Sequence, residues 1–178
     1  MSSLQLDVTT LFEGLLRIER TDDPSSYGAL DGMRAISPVS LAIGVRKDDE
    51  KVRVAGTLQT VLELDCSRCL EAFPVPVDAV FDLLYLPSSA NIGEEEQEIE
   101  EDDLDTAYYR EGVIDLAELV REQLYLALPM KPLCQEACRG LCPECGTNLN
   151  SGACECTHEW EDPRLAPLKA LARKQTDA

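Results

Sequence analysis

The stretch ISPVSLAIGVRKDDEKVRVAGTLQTVLEL, residues 36–64, decides the fold class. Val39, Leu41, Ile43 and Val45 alternate with small or polar residues. Lys47-Asp48-Asp49-Glu50-Lys51 then makes a charged turn, and Val52, Val54, Gly56 and Leu58 resume the alternation. Val61-Leu62-Glu63-Leu64 carries it to Cys66. A period of two sends every second side chain to one face, the pattern of a half-buried strand. Two such runs joined by a short polar turn predict an antiparallel hairpin.

The same texture extends outward. Phe73, Val75 and Val77 alternate around Pro74 and Pro76. Proline offers no N–H to a ladder, so this segment suits a sheet edge or a strand entry. Residues 80–86 (VFDLLYL) read as a further strand. Leu4, Leu6 and Val8 alternate as a short strand, and residues 21–31 (TDDPSSYGALD) read as a loop. One helix is well marked over 115–128. Asp115 is its N-cap and Glu118 the reciprocal capping-box residue, with Ile114 and Leu119 at the staple positions. Leu116, Leu119, Val120, Gln123, Leu124 and Ala127 form a stripe for packing on the sheet, and Pro129 ends the helix. A second short helix is expected over 164–174, with Asp162 as N-cap, Pro163 at its first position and Lys169, Arg173 and Lys174 near its end.

These elements predict an α+β protein: an antiparallel sheet or partly open barrel, a packed helix and a C-terminal cysteine-rich zinc-binding module. Residues 1–128 form the β-rich part, with an acidic loop at 87–105. Residues 129–178 hold the zinc module and the short C-terminal helix.

The net charge is −18. Residues 94–103 (EEEQEIEEDD) hold eight acids and no base, and without them the chain is still at −10. Such a stretch buries nothing and reads as a solvated loop. A nucleic-acid binder normally carries a basic surface that displaces counterions, so direct RNA clamping is disfavoured. A local patch at Arg139, Lys169, Arg173 and Lys174 leaves room for weak or indirect rRNA contact. The N-terminus has no basic region followed by an apolar one, and no apolar run spans a bilayer. The expected location is the cytoplasm, without membrane contact.

Eight cysteines carry the strongest chemical signal. Cys66 and Cys69 form one CxxC, and Cys134, Cys138, Cys142, Cys145, Cys154 and Cys156 crowd into a short segment. Reduced thiols at such spacings suit tetrahedral soft-metal sites better than disulfides. Two structural zinc ions would use all eight. Cys142-Pro143-Glu144-Cys145-Gly146 is a knuckle that pairs with Cys154 and Cys156, although Cys134 or Cys138 can substitute. Cys66 and Cys69 with Cys134 and Cys138 form the second candidate, and a metal there closes a long loop. The competing reading is a thiol redox or metal-responsive protein, but a redox CxxC belongs at a helix N-terminus, and the prolines after Cys69 oppose a helix. The lone histidine, His158, and Trp160 lie beside the cluster without a catalytic pattern. No HExxH, Walker A, GxGxxG or GxSxG sequence occurs, and all-thiolate sites leave no open position for catalysis. The expectation is no enzyme.

Residues 64–73 (LDCSRCLEAF) with Val75-Pro76-Val77 resemble the signature of the YceD family, the large ribosomal RNA subunit accumulation proteins. Residues 128–134 (LPMKPLC) and 138–150 (CRGLCPECGTNLN) resemble that family's C-terminal segment, as do Asp162-Pro163-Arg164-Leu165 and Leu168. The resemblance implies a role in accumulation of large-subunit (23S) ribosomal RNA in bacteria and plastids, with no catalytic residue. It further implies that members keep the first CxxC while some lack the last four cysteines, which favours pairing Cys66 and Cys69 with Cys134 and Cys138. With the acidic charge, the expected partners are ribosomal or RNA-processing proteins.

Overall fold

The computed structural model describes residues 4–12, 14–88 and 105–156. The acidic run 94–103, the expected helix at 164–174, His158, Trp160 and the basic residues Lys169, Arg173 and Lys174 lie outside the described residues. The chain divides into two compact units, residues 1–66 with 71–134 and residues 67–70 with 135–178.

In the first unit the predicted hairpin is the centre of a sheet. Strand β4 (Val39–Asp48) and strand β5 (Lys51–Asp65) pair antiparallel, with Leu41 opposite Leu58 and Val45 opposite Val54. The inward side chains of both strands are buried: Val39, Leu41, Ile43, Val45, Val52, Val54, Leu58 and Leu62 are each at most 3% exposed. Strand β6 (Ala72–Pro87) lies antiparallel to β5 along residues 72–85. The segments around Phe73 and Phe81 are therefore one strand, not two. Val75, Val77, Ala79, Phe81, Leu83 and Tyr85 share one phase, so nothing in the pattern breaks the strand between them. Pro74 and Pro76 pair with β5 on one side only, the edge setting that proline tolerates.

Of the two expected alternatives, a sheet or a partly open barrel, the structure shows the open sheet: its path runs from β2 (Gly14–Asp22) through β4, β5 and β6 to β7 (Thr106–Tyr109), with the short β3 (Arg34–Ala35) also on β5. It departs from expectation in not being wholly antiparallel, because β7 joins β6 in parallel. A parallel pair needs a crossover connection of a dozen or more residues, and the chain between Pro87 and Thr106 is long enough. β2 was hidden in the sequence, and Thr21 and Asp22 belong to it rather than to a loop. Its inward positions opposite Val45, Ile43, Leu41 and Val39 are Leu16, Ile18, Arg20 and Asp22. Two of those four are charged, so the apolar alternation fails.

The two charges are matched. Arg20 pairs with Asp22, and the Tyr27 hydroxyl donates to Asp22 at 2.7 Å. Tyr27 ends a short 3-10 helix (Pro24–Tyr27) and is 1% exposed. A separate two-stranded ribbon pairs β1 (Gln5–Asp7) with β8 (Val113–Asp115), which leads into helix α1 (Leu116–Leu126). Asp115 caps the helix as predicted, accepting from the N–H groups of Ala117 at 2.8 Å and Glu118 at 3.2 Å. Ile114, Leu116, Leu119, Val120 and Leu124 are buried in the core. Arg121 donates to the Tyr27 carbonyl and Asp31 donates its N–H to the Tyr125 hydroxyl, fixing the residue 24–31 segment to the helix. No helix of the described residues is long and apolar enough to cross a membrane.

Gly56 sits mid-strand with Ile43 on one side and Phe81 on the other. A Cβ there would lie 2.2 Å from the Ala42 carbonyl oxygen and 2.7 Å from Ile43 Cγ2. Gly56→Ala should therefore lower stability by about 1–3 kcal/mol or more, read from the urea midpoint. Wild-type stability in that variant would refute the close approach. The hydrogen bond from Arg20, then that from Tyr27, holds the Asp22 carboxyl below its ordinary value. A carboxylate lowered by folding stabilises above its unfolded pKa, and the contribution is lost as pH falls through the folded value. Asp22→Asn should therefore cost about 1–3 kcal/mol at neutral pH. The difference from wild type should shrink in acid, and a constant difference would contradict this.

Candidate metal centres

The eight cysteines fall into two groups of four. The sulfurs of Cys66, Cys69, Cys134 and Cys138 all lie within 4.8 Å of one another. So do those of Cys142, Cys145, Cys154 and Cys156. A tetrahedral thiolate site with metal–sulfur bonds near 2.3 Å has sulfur–sulfur edges of about 3.8 Å, so either group can close on one ion with small movements. The structure thus brings together every cysteine singled out in the sequence, in the pairing favoured there.

In the first group Cys66 follows directly on β5, and its N–H donates to the Glu71 carbonyl at 2.9 Å. Residues 67–69 form a tight turn, and Leu70 takes a positive φ of 60°. That turn leads straight into β6. No helix begins at Cys66–Cys69, so the setting of a thioredoxin-like redox pair is missing. Cys66, Cys69 and Cys138 are at most 3% exposed, and Cys134 is half-buried.

The second unit is built of turns. Arg68 Nη1 donates to the Cys138 carbonyl at 2.8 Å, and Leu141 donates its N–H to the Arg68 carbonyl at 3.2 Å. Gly140, with φ of 76°, lets the chain pass, since a Cβ there would lie 3.1 Å from that same carbonyl oxygen. Asn150 works from the other side. Its Oδ1 accepts from Arg139 N–H at 2.8 Å and its Nδ2 donates to Cys138 Sγ at 3.3 Å. A donor on the sulfur favours the thiolate form, which is the ligating form. Arg68 and Asn150 had no role in the sequence reading. Both lie in the family-like motifs, but only the fold shows what they touch.

The knuckle of the second group matches its sequence. Gly146 has φ of 73°, and its N–H donates to the Cys142 carbonyl at 2.9 Å. Cys142 N–H in turn donates to the Thr147 carbonyl at 2.8 Å. The hydrogen bond between Thr147 Oγ1 and Cys145 Sγ, 3.1 Å long, and then the Thr147 backbone bring the Cys145 thiol down to about 6. Its hydrogen bond with Cys145, then burial, pushes Cys156 up to about 12. Without a metal one sulfur of the pair thus holds the charge while the other keeps its proton; a bound cation favours the thiolate at both.

The described part of the second unit has no aliphatic core. Among its described residues, 67–70 and 135–156, only Cys69, Cys138, Gly140 and Cys142 are buried. A segment of this size cannot offset its ordering entropy with so little apolar burial and needs a staple. No disulfide joins any of the eight cysteines. A metal–thiolate site is the staple that fits the donor set.

The family model described as "Large ribosomal RNA subunit accumulation protein YceD" matches residues 54–172, a span that includes all eight cysteines. The chain belongs to the YceD family. Among YceD relatives, the Large ribosomal RNA subunit accumulation protein YCED homolog 1, chloroplastic, of Arabidopsis thaliana is 27% identical over 192 residues. That alignment covers 96% of this chain and 58% of the relative. The Zea mays protein of the same name is 29% identical over 173 residues, covering 81% of this chain and 57% of that protein. The chain thus spans a little over half the length of these two relatives. The YlbN protein of Bacillus subtilis (strain 168) is 27% identical over 148 residues, covering 82% of this chain and 81% of that protein. No solved structure matches.

Protein purified without chelator should carry about two metal ions per chain by elemental analysis, one for each four-thiol group. Cys142→Ser with Cys145→Ser should lose one ion and speed hydrogen exchange over residues 139–156, leaving the amides of β4 and β5 protected. Cys66→Ser with Cys69→Ser should damage the fold more broadly, because a metal there closes the long loop to Cys134. A metal-free chain with four disulfides by mass spectrometry would refute both sites.

Proposed function

We propose that this chain is a non-catalytic factor supporting accumulation of large-subunit ribosomal RNA, acting through ribosomal or RNA-processing protein partners and held by two structural zinc ions. The observation that carries the reading is the family match over residues 54–172, together with the names of the plant relatives. Zinc is the metal that two closed sets of four thiolates suit best, and such sets leave no position for a substrate or an activated water.

Electrostatics supports protein partners over RNA. A net charge of −18 repels phosphate at long range. On the outer face of the sheet Arg53 is paired with Asp82 at 2.7 Å and Arg34 with Glu63 at 2.7 Å. Those cations are already matched and do not form a free basic stripe. A second reading, a thiol redox or metal-responsive protein, draws on the exposed Cys145 with its low thiol pKa of about 6. Under that reading, mild oxidant should release metal and convert thiols to disulfides reversibly. Under the structural reading, metal content and free-thiol count stay fixed.

Affinity capture of the full chain from growing cells, with and without ribonuclease, tests the main reading. Ribosomal or RNA-processing proteins should remain bound after ribonuclease treatment. Loss of every partner on RNA digestion, or tight sequence-selective RNA binding by the purified chain, would overturn it.

A further inference from the structure

A cavity of about 570 Å³ lies between strand β7 and helix α1. Its wall carries three carboxylates, Asp115, Glu118 and Glu122, against one guanidinium, that of the exposed Arg110. Asp115 is occupied by its capping bonds. Glu118 and Glu122 stand one turn apart on the helix, where like charges destabilise each other. Neither forms an ion pair among the described residues, and the neighbouring Arg121 directs its guanidinium to the Tyr27 carbonyl. Partial burial, then Glu118, pushes the Glu122 carboxyl above its ordinary value.

Tyr85 is the independent observation. It lines the same cavity, is 6% exposed, and its hydroxyl has no hydrogen-bond partner among the described residues. Its hydroxyl opens to the cavity, beside the exposed carboxylates of Glu118 and Glu122 and the half-exposed ring of Tyr108, which together offer what a cationic side chain needs: acceptors and aromatic faces. The backbone adds a further element. Among the described residues β7 is the last strand of the sheet and its strand pairing is with β6 alone. An unpaired edge accepts an extended chain by main-chain hydrogen bonds, which a free polyamine cannot supply.

We propose that this cavity is the docking site for an extended basic segment of a protein partner, which adds beside β7 and seats an arginine or lysine between Glu118, Glu122 and Tyr85. The proposal rests on the protein-partner reading above and names the chemistry of the partner.

The full chain is titrated with an acetylated, amidated heptapeptide alternating arginine and threonine, with its citrulline twin, and with spermidine. NMR shifts locate the binding and the titration gives affinity. The arginine peptide should shift Tyr85, Tyr108, Glu118 and Glu122, and should bind about tenfold or more tightly than either control. Glu118→Gln with Glu122→Gln should weaken it about tenfold. Tyr85→Phe, which keeps the buried ring and so the fold, should weaken it about threefold. Equal binding of the citrulline twin, equal binding of spermidine, shifts confined to residues 94–103, or no binding at all would each overturn the site. The two readings fail separately. Peptide binding at these residues with only RNA-bridged capture from cells leaves the docking site and removes the protein-partner role. Ribonuclease-resistant partners still captured by Glu118→Gln with Glu122→Gln overturn the site and leave the role.

Discussion

The sheet of the first unit depends on one register, set where β4, β5 and β6 lie side by side. A strand shifted by one residue turns its whole apolar set to water. Here the shift is blocked at the row Ile43, Gly56 and Phe81. Gly56 has no side chain to spare room for, since the Ala42 carbonyl comes within 2.2 Å of where a Cβ would stand. The buried residues on either side, Val54 and Leu58, then fall opposite Val45 and Leu41. Helix α1 covers that face because its own stripe, Leu116, Leu119, Val120 and Leu124, is the apolar surface that can close it.

What the sequence showed and what it hid follow from the same rule. Where burial is one-sided and apolar, the period of two was plain, as in β4, β5 and the first part of β6 around Phe73, Val75 and Val77, and the cap of α1 was plain because Asp115 acts on N–H groups two and three residues away. β2 was not legible, because half of its inward positions are the paired charges Arg20 and Asp22, and pairing is a tertiary event. The join of β7 was hidden for a different reason. Its four residues say nothing of direction, and its parallel partner lies across a long connection. In the metal centres the thiols and the knuckle turn at Gly146 were readable from spacing. The contacts of Arg68 and Asn150 were not, since each touches groups whose nearness only the folded chain creates.

The second unit inverts the economy of the first. Its described interior is sulfur and one glycine, with hydrogen bonds between turns in place of packed aliphatic side chains. The described part of the unit buries too little apolar surface to offset its ordering entropy without a staple. Four thiolates at one point repel, and four thiols bury little. A cation resolves both problems together, because it neutralises the charge that ligation creates and closes several loops at once. A cation held by these thiolates would be part of the fold of that unit.

Under the proposed partner-binding role, function lies on surfaces, and those of the first unit differ in how their charges are disposed. On the outer face of the sheet two arginines meet carboxylates across strands, Arg53 with Asp82 and Arg34 with Glu63. Along α1 the carboxylates of Glu118 and Glu122 form no ion pair among the described residues, over a cavity also lined by the largely buried Tyr85. Unmatched like charges cost stability in the free chain, and a bound cation would recover it. A protein at −18 gains encounter rate with basic partners anywhere on its surface. Orientation, however, requires a place where the charge is fixed, and among the described residues the α1–β7 cavity combines such charge with a strand edge.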